Sequence, residues 1–210
     1  QQKKNFELAD IYERSTFRVK GVRGMNPMKD GTTYGTIENG EFNIYSYKTG
    51  KKVNTLFSFS ELIPEGDTLP IRAYDFQLSD DESKALFVTN VNYIYRHSFN
   101  ADYFVYDFAT KSLKPLSPNG GQRLATFSPD ASKIAFMRDN NLYITDLTTW
   151  EETQFTEDGL YNHIINGAPD WVYEEEFGFA QGFFWSPDSK KIAYYKFDES
   201  KVREFEMEEF

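Results

Sequence analysis

The chain has 210 residues, of which 40% are hydrophobic and 18% aromatic; it can bury a sizeable core, which argues against intrinsic disorder. Its 33 acidic residues against 23 Lys and Arg give a net charge of −10, so the basic face that a nucleic-acid binder needs is missing. With no cysteine it has no disulfides, no thiol catalysis and no cysteine-bound zinc. The many Phe and Tyr residues lean the composition towards strands. No apolar run approaches the length of a membrane-spanning helix.

The chain opens Gln1-Gln2-Lys3-Lys4 and not with Met, which fits an exported protein (periplasmic, cell-surface or secreted) whose signal peptide has been removed. Residues 6–17, FELADIYERSTF, place Phe6, Ala9 and Ile11 roughly on one side of a short helix. Residues 1–22 are therefore expected to form an N-terminal arm. From residue 23 a repeat takes over. Residues 127–136, FSPDASKIAF, and 185–194, WSPDSKKIAY, align without a gap. SDDESKALF at 79–87 follows the same register with Asp80 at the proline position, and Asp30-Gly31-Thr32-Thr33-Tyr34 is a weaker copy.

The marker aspartates Asp30, Asp81, Asp130 and Asp188 recur about every 50 residues, the period of a multi-stranded blade. After each of the first three comes a second strand-like stretch ending in a turn: FNIYSYKTGK at 42–51, YFVYDFATKS at 103–112 and LYITDLTTWE at 142–151. Ser-Pro-Asp suits a tight turn, because Pro presets φ and both Ser and Asp bond nearby amides. Strands such as Ile134-Ala135-Phe136 are apolar on both faces, as in blades stacked face to face. The fold class is therefore all-β: residues 23–210 form a partial β-propeller of about three blades and the start of a fourth. The tail REFEMEEF alternates over Glu204–Glu208 like a half-buried strand and stops without a turn signal, which suits a chain that continues.

Chemistry-bearing residues are few. Asp80-Asp81-Glu82 reads as a solvated turn, with a weak calcium site as the other reading. The two histidines, His97 and His163, read as structural, and no G-x-S-x-G elbow or metal-binding motif occurs. No catalytic residue, metal ligand or cofactor is expected in this chain. The last marker interval is longer than the others by about 8 residues, and DWVYEEEFG at 170–178 falls in the excess. Carboxylates that are close together and partly dried repel one another, and a bound cation relieves that repulsion. An ammonium group has three donors and no acceptor, so two carboxylates seat it well. The stretch is thus either an ammonium or guanidinium site, whose aromatic neighbours hold the carboxylates rigid and reduce their contact with water, or an exposed acidic turn with its aromatics tucked beneath.

DWVYEEEFG followed by WSPDSKKIAYYKFDES resembles the N-terminus-recognising segment of the dipeptidyl peptidase IV family within the prolyl oligopeptidase superfamily. NYIYRHSFNADYFVYD at 92–107 resembles a second motif of that family, and ELADIYERSTFRVKGV its leading arm. The resemblance implies an eight-bladed propeller followed by an α/β-hydrolase domain, with the catalytic serine, aspartate and histidine outside these residues. It implies release of N-terminal dipeptides with Pro or Ala in second position. Carried over to the matching positions, Glu175 and Glu176 hold the substrate's free α-amine and Arg96 contacts a substrate carbonyl, while Glu174 stays structural. The implied partners are peptides with a free N-terminus, the chain's own C-terminal hydrolase domain and a second copy in a homodimer. A prolyl tripeptidyl peptidase and a non-catalytic binding propeller are the alternatives.

Overall fold

A computed structural model describes residues 5–19, 21 and 24–205. The expected helix of the arm is shorter than its sequence pattern, spanning α1 (Leu8–Tyr12), and Glu7 and Asp10 cap it reciprocally. Four strands then form the first sheet in chain order: β1 (Asn26–Pro27), β2 (Thr33–Glu38), β3 (Glu41–Ser46) and β4 (Lys52–Ser58). The second sheet joins β5 (Asp75–Leu78), β6 (Lys84–Tyr93), β7 (Phe99–Asp107) and β8 (Ser112–Pro115). The third joins β9 (Arg123–Phe127), β10 (Lys133–Arg138), β11 (Asn141–Asp146) and β12 (Glu152–Gln154). Beyond it lie β13 (Ile164–Asn166), the helix α2 (Trp171–Phe177), β14 (Phe183–Trp185), β15 (Ile192–Tyr194) and β16 (Lys196–Asp198). Here β13 pairs with β16, and β14 with β15.

The strand pairs are antiparallel and, apart from β13 with β16, consecutive in the chain, so the chain is all-β, as expected, and consistent with part of a propeller. By packing it divides into compact units of residues 1–56 and 57–210, a boundary that falls inside β4. Among the described residues no helix is long and apolar enough to cross a membrane. The strand expected over 204–208 lies largely outside the described residues; Glu204 and Phe205, which are described, are exposed and irregular.

The repeated turns share one hydrogen-bond pattern. Ser79, Ser128 and Ser186 donate from Oγ to Asp81, Asp130 and Asp188 at 2.6, 2.7 and 2.6 Å. Each serine oxygen then accepts the backbone N–H five residues on, from Lys84, Lys133 and Lys191, at 3.0, 3.0 and 2.9 Å. Asp81 is thus a turn clamp within the run Asp80-Asp81-Glu82. The residue after each clamp is left-handed: Glu82, Ala131 and Ser189 at φ 57, 55 and 58°. The hydroxyls of Ser128, then Ser132, hold Asp130 well below the usual carboxylate range. Its folded pKa is depressed, so its contribution is complete above the unfolded value of about 3.9 and is lost as pH falls through the folded one. Asp130→Asn is expected to lower the thermal unfolding midpoint at pH 7. In melts across pH, the gap from wild type should close below about pH 4.

The last turn of each four-stranded sheet carries another left-handed residue: Gly50 (φ 63°), Lys111 (φ 57°) and Trp150 (φ 60°). A side chain costs about 1–2 kcal/mol in that region, whereas glycine costs less than 1 kcal/mol of extra chain entropy. Lys111 is exposed, and Gly50 already fills the matching place in the first sheet. Lys111→Gly is therefore expected to stabilise the fold by about 0.5–1 kcal/mol, read as a higher denaturation midpoint.

The core of the second unit shows why its strands are apolar on both faces. In β10, Ile134 and Phe136 pack with Leu86, Val105 and Tyr103 of the second sheet. The alternate residues Ala135 and Met137 pack with Ala168 and Phe183, towards β14. Successive side chains of one strand thus enter two different cores.

Candidate functional site

The acidic insert is an excursion from a strand. The chain leaves after β13 and returns at β14, and the Gly182 N–H donates to the Gly167 carbonyl at 2.8 Å across its base. A Cβ on Gly182 would stand 3.0 Å from the Gly167 carbonyl carbon, so a side chain there would crowd the backbone at the closure. Within the excursion, the Asp170 carboxylate accepts the Tyr173 N–H at 3.1 Å and starts α2, and Gly178 at φ 64° ends it. The Tyr173 ring meets Phe177 at 5.6 Å and Phe197 of β16 at 5.3 Å.

The three glutamates of α2 have three different surroundings. Glu174 is 1% exposed; its Oε1 accepts the backbone N–H of His97 at 3.2 Å, and its Oε2 accepts from Arg123 Nη2 at 3.2 Å. Glu175 keeps 15% of its side chain exposed, with Arg96 Nη1 at 3.7 Å from its Oε2, an ion pair longer than a hydrogen bond. Glu176 is exposed. The aromatic shielding expected for Glu175 and Glu176 does not form: Trp171, Tyr173 and Phe177 are themselves exposed, and the dry carboxylate is Glu174. An exposed helix turn leaves its large side chains on the water side unless another element covers them.

Arg96 sits at the tip between β6 and β7, where the Ile94 and Tyr95 N–H groups both donate to the Ser98 carbonyl, at 2.9 and 3.2 Å. Its side chain is 74% exposed, so its remaining donors are open to a ligand. His97 takes part through its backbone and not its ring. His163 Nδ1 lies 3.1 Å from the Tyr161 carbonyl. Among the described residues no histidine is hydrogen-bonded to a serine, and no cluster of three His, Cys, Asp or Glu could hold a metal ion.

Arg123, at the start of β9, escaped the sequence reading, because one arginine ahead of a strand carries no signal. Its side chain is 12% exposed. Burial pulls its guanidinium below the ordinary value, and the Glu174 charge opposes the shift. It also lines a cavity of about 560 Å³ shared with Tyr95, Arg138, Asp170, Trp171 and Glu199. Burial, then the Asp170 charge, pushes the Glu199 carboxyl up. Neither Glu175 nor Glu176 lines this cavity. What the arrangement offers chemically is recognition: a half-buried carboxylate, an exposed one beside it on the helix, and a guanidinium with free donors.

Comparison with known proteins gives this site a setting. Residues 79–210 match the family model described as the dipeptidyl peptidase IV (DPP IV) N-terminal region. The probable dipeptidyl-aminopeptidase B of Emericella nidulans is 41% identical over 136 residues, 63% of this chain and 15% of the relative. The probable dipeptidyl peptidase 4 of Aspergillus fumigatus is 34% identical over 175 residues, 81% of this chain and 22% of the relative. The crystal structure of Porphyromonas gingivalis dipeptidyl peptidase 4 superposes with a TM-score of 0.78 at 36% identity, over 98% of this chain and 29% of that one. The chain thus spans less than a third of the length of each of these relatives.

Proposed function

This chain belongs to the dipeptidyl peptidase IV family, and from that premise we propose that it is the substrate-recognising part of a serine exopeptidase releasing N-terminal dipeptides with Pro or Ala second. In this reading Glu175 and Glu176 take the free α-amine and Arg96 donates to a substrate carbonyl. The nucleophile comes from a hydrolase domain outside these residues. Export and homodimer formation belong to the same reading.

The observation that carries it is the meeting of Arg96, at the β6–β7 tip, and Glu175, on α2, at 3.7 Å. At that distance Arg96 makes no direct hydrogen bond to Glu175, which leaves the carboxylate oxygens able to accept from an ammonium group. An exopeptidase must measure from the chain end. An anionic seat for the amine, a fixed distance from a nucleophile, is such a ruler, and binding energy spent there orients the scissile bond. The full-length protein is expected to release dipeptides from Gly-Pro and Ala-Pro chromogenic substrates and to leave their N-acetylated forms almost untouched. Equal turnover of blocked and free substrates would refute the reading.

A further inference from the structure

Both strands that deliver groups to α2 are irregular. In β6 the register slips between Thr89 and Asn92, and Asn90 is left-handed at φ 50°. In β9 the register slips opposite Ala135–Met137, and Leu124 is left-handed at φ 60°. A bulge re-aims the strand next to it, and a bulky residue stays left-handed only where its surroundings impose it. The first bulge precedes Arg96 and His97; the second adjoins Arg123. Glu174 ties the two together, binding the His97 N–H with one carboxylate oxygen and the Arg123 guanidinium with the other. His97 follows Arg96 in the chain and Glu174 precedes Glu175. Fixing the 97–174 contact therefore sets the 96–175 contact beside it.

We propose that Arg123 is a positioning residue for the amine site: it holds Glu174, and through Glu174 it keeps Arg96 and Glu175 facing each other. The inference rests on the reading of Glu175 and Glu176 as amine acceptors. Arg123 touches no substrate in this arrangement. Its work is to neutralise a carboxylate that is 1% exposed, so that the carboxylate can stay inside and grip the His97 amide. Without the guanidinium that carboxylate turns towards water and takes the first turn of α2 with it. Displacements of about 1 Å at a reacting site cost rates on the order of 100-fold.

The test is steady-state kinetics of the full-length protein on Gly-Pro p-nitroanilide, with the N-acetylated compound as control. Arg123→Met is expected to raise KM about 10–100-fold. The double variant Arg123→Met/Glu174→Gln is expected to recover most of that loss, because glutamine still accepts the His97 N–H and carries no charge. A purely structural role would shrink the folded fraction, cutting the maximal rate and leaving KM alone. A wild-type KM in Arg123→Met, or a double variant no better than the single one, overturns the proposal. In those cases the wild type still demands a free amine. Indifference of the wild type to acetylation would instead remove the amine site itself, and the positioning role with it.

Discussion

Glu174→Ala is expected to lower the unfolding free energy by about 3–5 kcal/mol, seen as a large fall in the denaturation midpoint of the full-length protein. The magnitude follows from what is left behind. Arg123 keeps a guanidinium that is 12% exposed with no counter-charge, and the His97 N–H loses its acceptor. A lone buried charge is far more costly than an intact pair is favourable, so removing one partner hurts more than the pair's own worth suggests. Glu176→Ala, on an exposed position of the same helix, is expected to move the midpoint by no more than about 0.5 kcal/mol. Equal effects at positions 174 and 176 would contradict the division of labour along α2.

Glu175→Gln is expected to act on catalysis and not on stability. Its ion pair with Arg96 is long, and Arg96 is 74% exposed, so the pair itself is worth under about 1 kcal/mol to the fold. A carboxylate that meets a substrate ammonium is another matter. Loss of one partner in a desolvated, hydrogen-bonded charge pair costs about 2–5 kcal/mol, which is roughly 30- to 4,000-fold in kcat/KM for a free-amine dipeptide substrate. The thermal midpoint should stay close to wild type. A Glu175→Gln protein that released dipeptides at the wild-type rate would remove Glu175 from the amine site.

How much of this could be read from the residues varies from place to place. The Ser-Pro-Asp turns were legible because their chemistry is local: a serine, an aspartate and a left-handed residue satisfy one another within six positions. The two-faced burial of β10 was legible because an uninterrupted apolar strand has few other homes. The environments of Glu174, Glu175 and Glu176 were not. Three identical side chains in a row differ only by about 100° of rotation each around a helix, and which one faces inward depends on partners such as Arg123, whose hydrogen bond spans 51 positions. The aromatic neighbours suggested cover for the acids, but α2 is seven residues long and turns those rings outward. The helix itself was hidden because a sequence read as an insert carries too few turns to show a period.

The closure between Gly167 and Gly182 bears on which changes the excursion tolerates. Because the two ends of the excursion meet, the blade's strand order does not depend on what is carried between them. Residues 168–181, which carry α2, are held at both ends by that one closure, so changes on the outer face of the helix need not disturb the register of β13 and β14. The constraint that remains is narrow, namely an inner face that still fits Ala168 and Glu174 into places prepared by distant strands.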